Sequence, residues 1–477
     1  MTALDPLPSP PLSVPIDLSV SKRLHVVGVG GPGMSAIAIV LAEMGHQVSG
    51  SDIRERPVLD RVRAAGVAIN VGHRRDVVHR CDAVTASTAI PAHNVEVDEA
   101  NSTGVLMLRR AGMLASICAQ AKSLAVAGTH GKTSTTSMLM LMLAAAELRP
   151  SFVIGGDVTD MGTGAQWTGG EWLVVEADES DGTHLELPLY GTILTNVEVD
   201  HLDHYGTFEG ITESFDRYLG QIAGPKVLCA DDPVCVQLAE RHGGVTYGTS
   251  DGATYQAHDL RAERGAYHFN VRHNGHELGE VFLPMRGIHN VRNATAALAM
   301  AHVIGVPFEV AAGSLARFGG VARRFDIRGT DDGVTLVDDY AHLPGEIAAV
   351  LSAARTSGDA WQRVVAVFQP NRFNRMAVMW PDYRDAFVDA DIVVLTDIYS
   401  SGTMPIPGVT AKLVVNAVLD AHPMTRMVWL PQRSDLATYL AGELRDGDVC
   451  LSMGCGDIAS LPDEIIDERA RRKAAVG

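Results

Sequence analysis

Lys132, Thr133 and Ser134 close the run SLAVAGTHGKTS, in which a glycine-rich turn joins an apolar stretch to a Met/Leu/Ala-rich one. Backbone N–H groups of such a turn, backed by the dipole of the helix it opens, cradle phosphate oxygens. On that reading Gly128, Thr129, His130, Gly131, Lys132, Thr133 and Ser134 surround ATP. Lys132 reaches the β- and γ-phosphates, and the Thr133 hydroxyl ligates Mg²⁺ (or Mn²⁺). The spacing is G-x-x-G-K-T-S, with Val126 where the full phosphate-loop pattern places its first glycine. A tight turn that merely contains Gly-Lys-Thr is the competing explanation.

Two later segments carry the groups such a site needs. Glu176 ends the apolar stretch of WLVVEADESD, where a carboxylate can meet a phosphate-bound metal. His201 follows TILTN in NVEVDHLDHYG. Hard Mg²⁺ prefers oxygen and takes few ligands from protein, so Thr133, Glu176 and a borderline His201 make a plausible metal set. Asp178, Glu179, Asp200, Asp203 and His204 read equally well as solvated loop charges.

A second glycine loop lies near the N-terminus. Gly28, Gly30 and Gly33, with Gly31 between, satisfy G-x-G-x-x-G after a β-branched run, and Asp52 ends the next one. By itself this is a dinucleotide site with NAD as the default ligand. The physics requires only a pyrophosphate, and two phosphate loops in one chain favour a second phosphorylated substrate beside ATP. Glycines serving only helix–strand packing are the bland alternative.

Arg323 and Arg324 precede Phe325 at a module boundary, where a guanidinium can neutralise a transferring phosphoryl group or simply make a salt bridge. Tyr340 and His342 follow TLVDD, and Arg372 and Arg375 follow VVAVF. Loops after parallel strands bind ligands in open αβ sheets. Two arginines and a histidine there suit the carboxylate of an amino acid. His289, Asn290 and Asn293 open a helix in which 289 and 293 share a face; alone they read as capping and packing groups.

The elements that must position these residues form an alternating α/β pattern. Arg23–Val29, a helix over 34–44 and Gln47–Asp52 make a β–α–β unit, continued by Ala83–Ser87 and Val105–Leu108. A second unit runs from Ser123–Ala127 through the helix Thr135–Glu147 to strands at Trp172–Glu176, Gly191–Asn196 and Lys226–Ala230. Residues 246–286 read as an antiparallel insertion, and a helix from His289 closes the module. Strands at Val334–Val337, Arg363–Phe368, Asp391–Thr396, Met427–Leu430 and Asp448–Met453 form a third, doubly wound layer. The expected division is a Pro-rich mobile tail at 1–21, then modules at 22–120, 121–318 and 319–477.

A length of 477 residues fits about three domains. Aromatic residues are only 5%, so the cores must be aliphatic. A net charge of −18 argues against nucleic acid, which needs a basic surface. The N-terminus lacks the basic and apolar regions of a secretory signal, and the longest apolar run, Met138–Ala146, is half a membrane span. A cytoplasmic protein without membrane partners is expected. Six cysteines without a C-x-x-C pair point to reduced thiols rather than a zinc site or disulfides.

The ordered series HVVGVGGPGMSAIA, SGSDI, STAIP, AGTHGKTSTT, EADESD, TNVEVDHLDHYG, GIHNVRNATAALA, ARRF, DDYAHLPGE, FQPNRF and SMGCGDI resembles the Mur ligase family from about Lys22 to Ala459. The resemblance implies a three-domain architecture: a Rossmann-like N-terminal domain, a central phosphate-loop ATPase domain and a C-terminal Rossmann-like domain. The branch it most resembles makes peptidoglycan precursors by adding L-alanine to UDP-N-acetylmuramate through an acyl phosphate. By that resemblance Lys132, Glu176, His201 and Arg324 serve catalysis, and His289, Asn290 and Asn293 surround adenine. The first loop holds the diphosphate of the UDP-sugar, with Ser51, Asp52, Ser87 and Thr88 near uridine, and Tyr340, His342, Arg372 and Arg375 contact the amino acid. Leu343, Gly345 and Asn371 stand where the family has His, Thr and His. The arginines still imply amino-acid addition, while a relative adding another amino acid or a preformed peptide, or a NAD-dependent dehydrogenase, stays open. A monomer or dimer is expected.

Overall fold

In the computed structural model, which describes residues 14–87, 89–91 and 93–476, three sheets carry the chemistry-bearing loops. The first is wholly parallel, in the order Ala68–Val71, Gln47–Asp52, Arg23–Val27, Ala83–Ala86, Leu106–Arg109. Its centre is a β-branched strand whose Leu24, Val26 and Val27 are at most 1% exposed, because helices cover both faces. Strand order reverses beside Arg23–Val27, which opens a crevice at its C-terminal end where Gly28 begins the first glycine loop.

The second sheet has ten strands. Its core runs Lys226–Cys229, Gly191–Leu194, Lys122–Ala127, Trp172–Glu176, Ser151–Val158, all parallel. Leu124–Ala127 and Leu173–Val175 are fully buried, so the strand feeding the phosphate loop cannot shift register without exposing its apolar side chains. In the insertion expected over 246–286, Tyr255–Glu263, Ala266–His273 and His276–Leu283 lie side by side in order across two-residue turns, as an antiparallel meander requires, and only the pairing that joins them to the sheet departs from the expectation. Val245–Gly248 extends this same sheet and pairs in parallel with Tyr255–Glu263 over Tyr247 and Gly248. The return between these strands is held by the Asp231 carboxylate, which accepts the Thr249 and Ser250 amides, and by Thr254, which pairs with Thr246.

The third sheet is ordered Asp326–Asp331, Val334–Asp339, Asp448–Met453, Arg363–Phe368, Ile392–Leu395, Met427–Trp429, parallel except for its first pair. Aliphatic clusters lie on both of its faces, one around Phe368, Val393 and Leu451, the other around Val365, Val367 and Cys450. The chain divides into two compact units. One holds residues 1–259, 269–283 and 292–319; the other holds 260–268, 284–291 and 320–477.

All six cysteines are free, four of them buried. No described helix is long and apolar enough to cross a membrane. Residues 1–13 of the expected tail lie outside the described residues; from Val14 onward the Ile16 amide donates to Ser116 Oγ (2.9 Å) and Leu18 is buried.

Candidate active site

The phosphate loop leaves the strand Lys122–Ala127, buried from Ser123 onward, and enters the helix Lys132–Ala145. Two of its glycines are required by space as well as conformation. At Gly128, with φ +121°, a Cβ would collide with Thr195 Oγ1 and lie 2.8 Å from the Asn196 carbonyl oxygen. At Gly131, with φ +82°, a Cβ would lie 2.5 Å from Asn293 Oδ1. The loop is laced to the segment after strand Gly191–Leu194. Thr129 N donates to Asn196 O (3.0 Å), His130 N to Asn196 Oδ1 (2.9 Å), and Thr195 Oγ1 to His130 O (2.6 Å). Glu198 meets the same loop through its amide, which donates to Thr129 Oγ1, and through a contact with His130 Nε2. Gly131, at the N-cap, has no side chain to satisfy the first helical amides, which leaves them to a ligand.

Lys132 is half-buried. Its Nζ donates to the carbonyls of Gly128 (2.6 Å) and Thr129 (3.1 Å) and to both oxygens of Glu179 (2.9 and 2.8 Å). Burial works against the charge, yet Glu179 and Asp178 outweigh it and hold the amine above its ordinary value. Glu179 is 4% exposed, so of the two readings open for this residue the solvated loop charge falls away. Asp178 follows the same logic: burial pushes its carboxyl up, Arg110 and Lys132 pull harder, and it comes down to about 2. Glu176 accepts the Gly155 amide (2.7 Å) at the end of its strand. Asp200 is also buried. It accepts the amide of His201 (2.7 Å) and faces the ring Nε2 at 3.0 Å, holding a residue whose φ of 51° is left-handed. Such strain in a non-glycine residue costs about 1–3 kcal/mol and collects at functional positions.

At the first glycine loop Asp52 receives the Gly30 amide on Oδ2 (2.9 Å), and Ser51 is fully buried with its hydroxyl donated to Glu96 (2.5 Å). Ser87 and Ile90 pack against the space a Gly28 Cβ would take; Thr88 lies outside the described residues. Sequence reasoning missed Glu96. Asn94 caps its helix and sets it in the first turn, where it meets Ser51, His73 Nδ1 (2.8 Å) and the Arg74 amide (2.9 Å). Burial raises its carboxyl, but those partners and His25 bring it to about 2. Arg109 and Arg110 were missed too, although a basic pair at a parallel strand's C-terminal end is a readable signal. Arg109 pairs with Glu186, and Arg110 with Asp178 and Asp181.

His289 and Asn290 belong to the second unit and Asn293 to the first, although all three lie on the helix Ile288–Val303. Asn290 Nδ2 donates to the Arg286 carbonyl (2.8 Å). In the second unit, the Arg323 and Arg324 guanidiniums lie 4.9 and 5.3 Å from the Tyr340 ring centroid. Arg323 also donates to Asp338 (3.0 Å) and the Gly454 carbonyl (2.7 Å). Tyr340 and His342 rings are 5.5 Å apart, and His342 Nδ1 sits 3.2 Å from Glu346. Arg375 donates to Asn371 Oδ1 (3.0 Å). Arg323, Phe325 and Arg372 carry positive φ. Asp339 is fully buried beneath them, and burial raises its carboxyl to about 6 against the pull of Arg324. Of the three residues that depart from the pattern, Leu343 is a core side chain, Asn371 is buried beneath Arg375, and Gly345 is exposed.

Three family models match in order: the Mur ligase family catalytic domain over 23–122, its middle domain over 126–301, and its glutamate ligase domain over 323–456. The UDP-N-acetylmuramate–L-alanine ligase of Desulforamulus reducens is 41% identical over 455 residues, 93% of this chain and 97% of that protein. The chain belongs to the Mur ligase family. The same-named protein of Pelobacter propionicus is 40% identical over 92% of this chain and 96% of its own. The crystal structure of the UDP-N-acetylmuramate–alanine ligase of Thermotoga maritima superposes with a TM-score of 0.79 at 28% identity, covering 95% of this chain and all of that one. A Mur ligase has the three-part αβ architecture expected from the sequence, and the dehydrogenase reading of the first loop gives way.

Proposed function

We propose that this Mur ligase joins L-alanine to the lactyl carboxylate of UDP-N-acetylmuramate at the expense of ATP, in the cytoplasm, as a step of peptidoglycan precursor synthesis. The observation that carries it is the pairing of two glycine loops in one unit, the second closed around Thr195, Asn196 and Asn293 with a half-buried Lys132 at its end, paired with Glu179. The relatives named above point to the same substrates.

The carboxylate oxygen attacks the γ-phosphorus, ADP leaves, and the amino group of alanine attacks the acyl carbon of the acyl phosphate, expelling inorganic phosphate. The helix-start amides at Lys132–Ser134 and the Lys132 ammonium stabilise charge on the phosphates. Thr133, Glu176 and His201 are the groups proposed to hold Mg²⁺. Oxygen donors dominate that set, a donor chemistry that suits a hard cation, and Asp200 orients the imidazole. When bound, Mg²⁺ offsets negative charge on the transferring phosphoryl group. In the second unit Arg372 and Arg375 clamp the alanine carboxylate, with Tyr340 and His342 beside it. Arg324 supplies positive charge near the same ring.

Phosphate release measured with UDP-N-acetylmuramate, ATP, Mg²⁺ and a panel of amino acids tests this reading. L-alanine should give the highest kcat/KM. A strong preference for another amino acid or for a peptide favours the second reading, which rests on the core packing of Leu343 and the buried Asn371. No phosphate release with any acceptor overturns both.

A further inference from the structure

We propose that Arg110, at the first position of the helix Arg110–Cys118, contacts the diphosphate at the first glycine loop and is held there by Asp178 and Asp181. The assignment rests on the ligase reading above and extends it to a residue outside the glycine motif.

Most of the loop's own amides are already engaged within the protein. Gly28 N and Val29 N both donate to Ser51 O, Gly30 N to Asp52 Oδ2, Gly31 N to Gly28 O, and Met34 N and Ser35 N to Gly31 O. Pro32 has no N–H. Among the described residues only the Gly33 amide is left over in this stretch, and one donor is a poor match for two phosphates. A cation must supply the rest.

Arg110 lies where that cation is needed. Its Nη1 is 3.4 Å from the position a Gly33 Cβ would occupy, which sets the guanidinium against the start of the helix Pro32–Glu43. All three of its hydrogen bonds use Nη2: to Asp178 Oδ2 (3.0 Å), Asp181 Oδ2 (2.9 Å) and Thr183 Oγ1 (3.2 Å). Nη1 is thereby directed at the loop. A cation at a helix N-terminus opposes the dipole, and the two carboxylates offset that cost. Those carboxylates would in turn repel a diphosphate unless a cation stands between them and it. One guanidinium meets both demands, with a planar fork that matches phosphate oxygens. Asp178 and Asp181 also organise the segment after Glu176, accepting the Ser180 and Thr183 amides, so one side chain ties the diphosphate to the acidic segment that faces Lys132.

Titration calorimetry with UDP and with uridine, on wild type, Arg110→Gln and Arg110→Lys, tests the assignment. Loss of a charge-assisted contact should weaken UDP binding by about ten- to a hundredfold in Arg110→Gln. Uridine binding should stay within about twofold, because it lacks the phosphates, and Arg110→Lys should fall between. In turnover, Arg110→Gln should raise KM for the UDP-sugar. Equal weakening of UDP and uridine would assign Arg110 a structural role and overturn the proposal, as would unchanged UDP binding. A wild-type chain that binds no UDP would overturn the ligase reading itself, and this assignment with it.

Discussion

Gly128→Ala against Gly45→Ala isolates what the phosphate loop's packing contributes. Both glycines have left-handed φ, +121° and +91°. Gly45 has nothing within 4 Å of its would-be Cβ, so its alanine carries the backbone cost alone, about 1–2 kcal/mol. At Gly128 the new methyl collides with Thr195 Oγ1 and sits 2.8 Å from Asn196 O and 3.0 Å from Asn196 N. Two of those three atoms are backbone and cannot rotate away. Overpacking of that kind adds about 1–3 kcal/mol. The displaced residue is the one that accepts the Thr129 and His130 amides, so the loop moves with it. A misplacement of about 1 Å costs on the order of a hundredfold in rate. Urea unfolding should therefore show Gly128→Ala less stable than Gly45→Ala by about 1–3 kcal/mol, and phosphate-release assays should show a drop in kcat/KM for ATP in Gly128→Ala alone. Equal stability together with equal kcat/KM would refute the argument that Thr195 and Asn196 shape the loop.

Lys132→Ala should abolish ATP turnover and destabilise the fold by about 3–5 kcal/mol, since Glu179 is left buried without its cation. Lys132→Met with Glu179→Leu should recover most of that stability in chemical unfolding while activity stays absent. Glu96 is depressed from 4.5 to about 2, so the stability it contributes is present above pH 4.5 and is lost as pH falls toward 2. At about 1.4 kcal/mol per pKa unit this amounts to roughly 3 kcal/mol, and Glu96→Gln should flatten the acid limb of a pH–stability curve over that window. Arg375→Ala should raise KM for the amino acid by about ten- to a hundredfold, with KM for ATP within about twofold, read from initial rates.

Periodicity alone placed the strands and helices that carry both glycine loops, because buried parallel strands read as unbroken apolar runs whose ends are marked by glycine and charge. Lys132, Glu176 and His201 were legible for the same reason: each ends or follows such a strand. Residue type also announced the free cysteines. What the sequence could not carry was pairing across distance. Glu179 and Asp178 are an ordinary acidic loop until the fold buries Glu179 against Lys132 and sets Asp178 beside Arg110. Glu96 and Asn196 hold loops 45 and 66 residues away through hydrogen bonds, and Arg110 lies beside a loop 77 residues away. The parallel return after Val245–Gly248 is held by the distant Asp231 carboxylate together with local Thr246–Thr254 hydrogen bonds. Local spacing fixes which face a side chain takes on its own element, whereas the partner it meets, and so its charge state, is set only when separate strands are brought side by side.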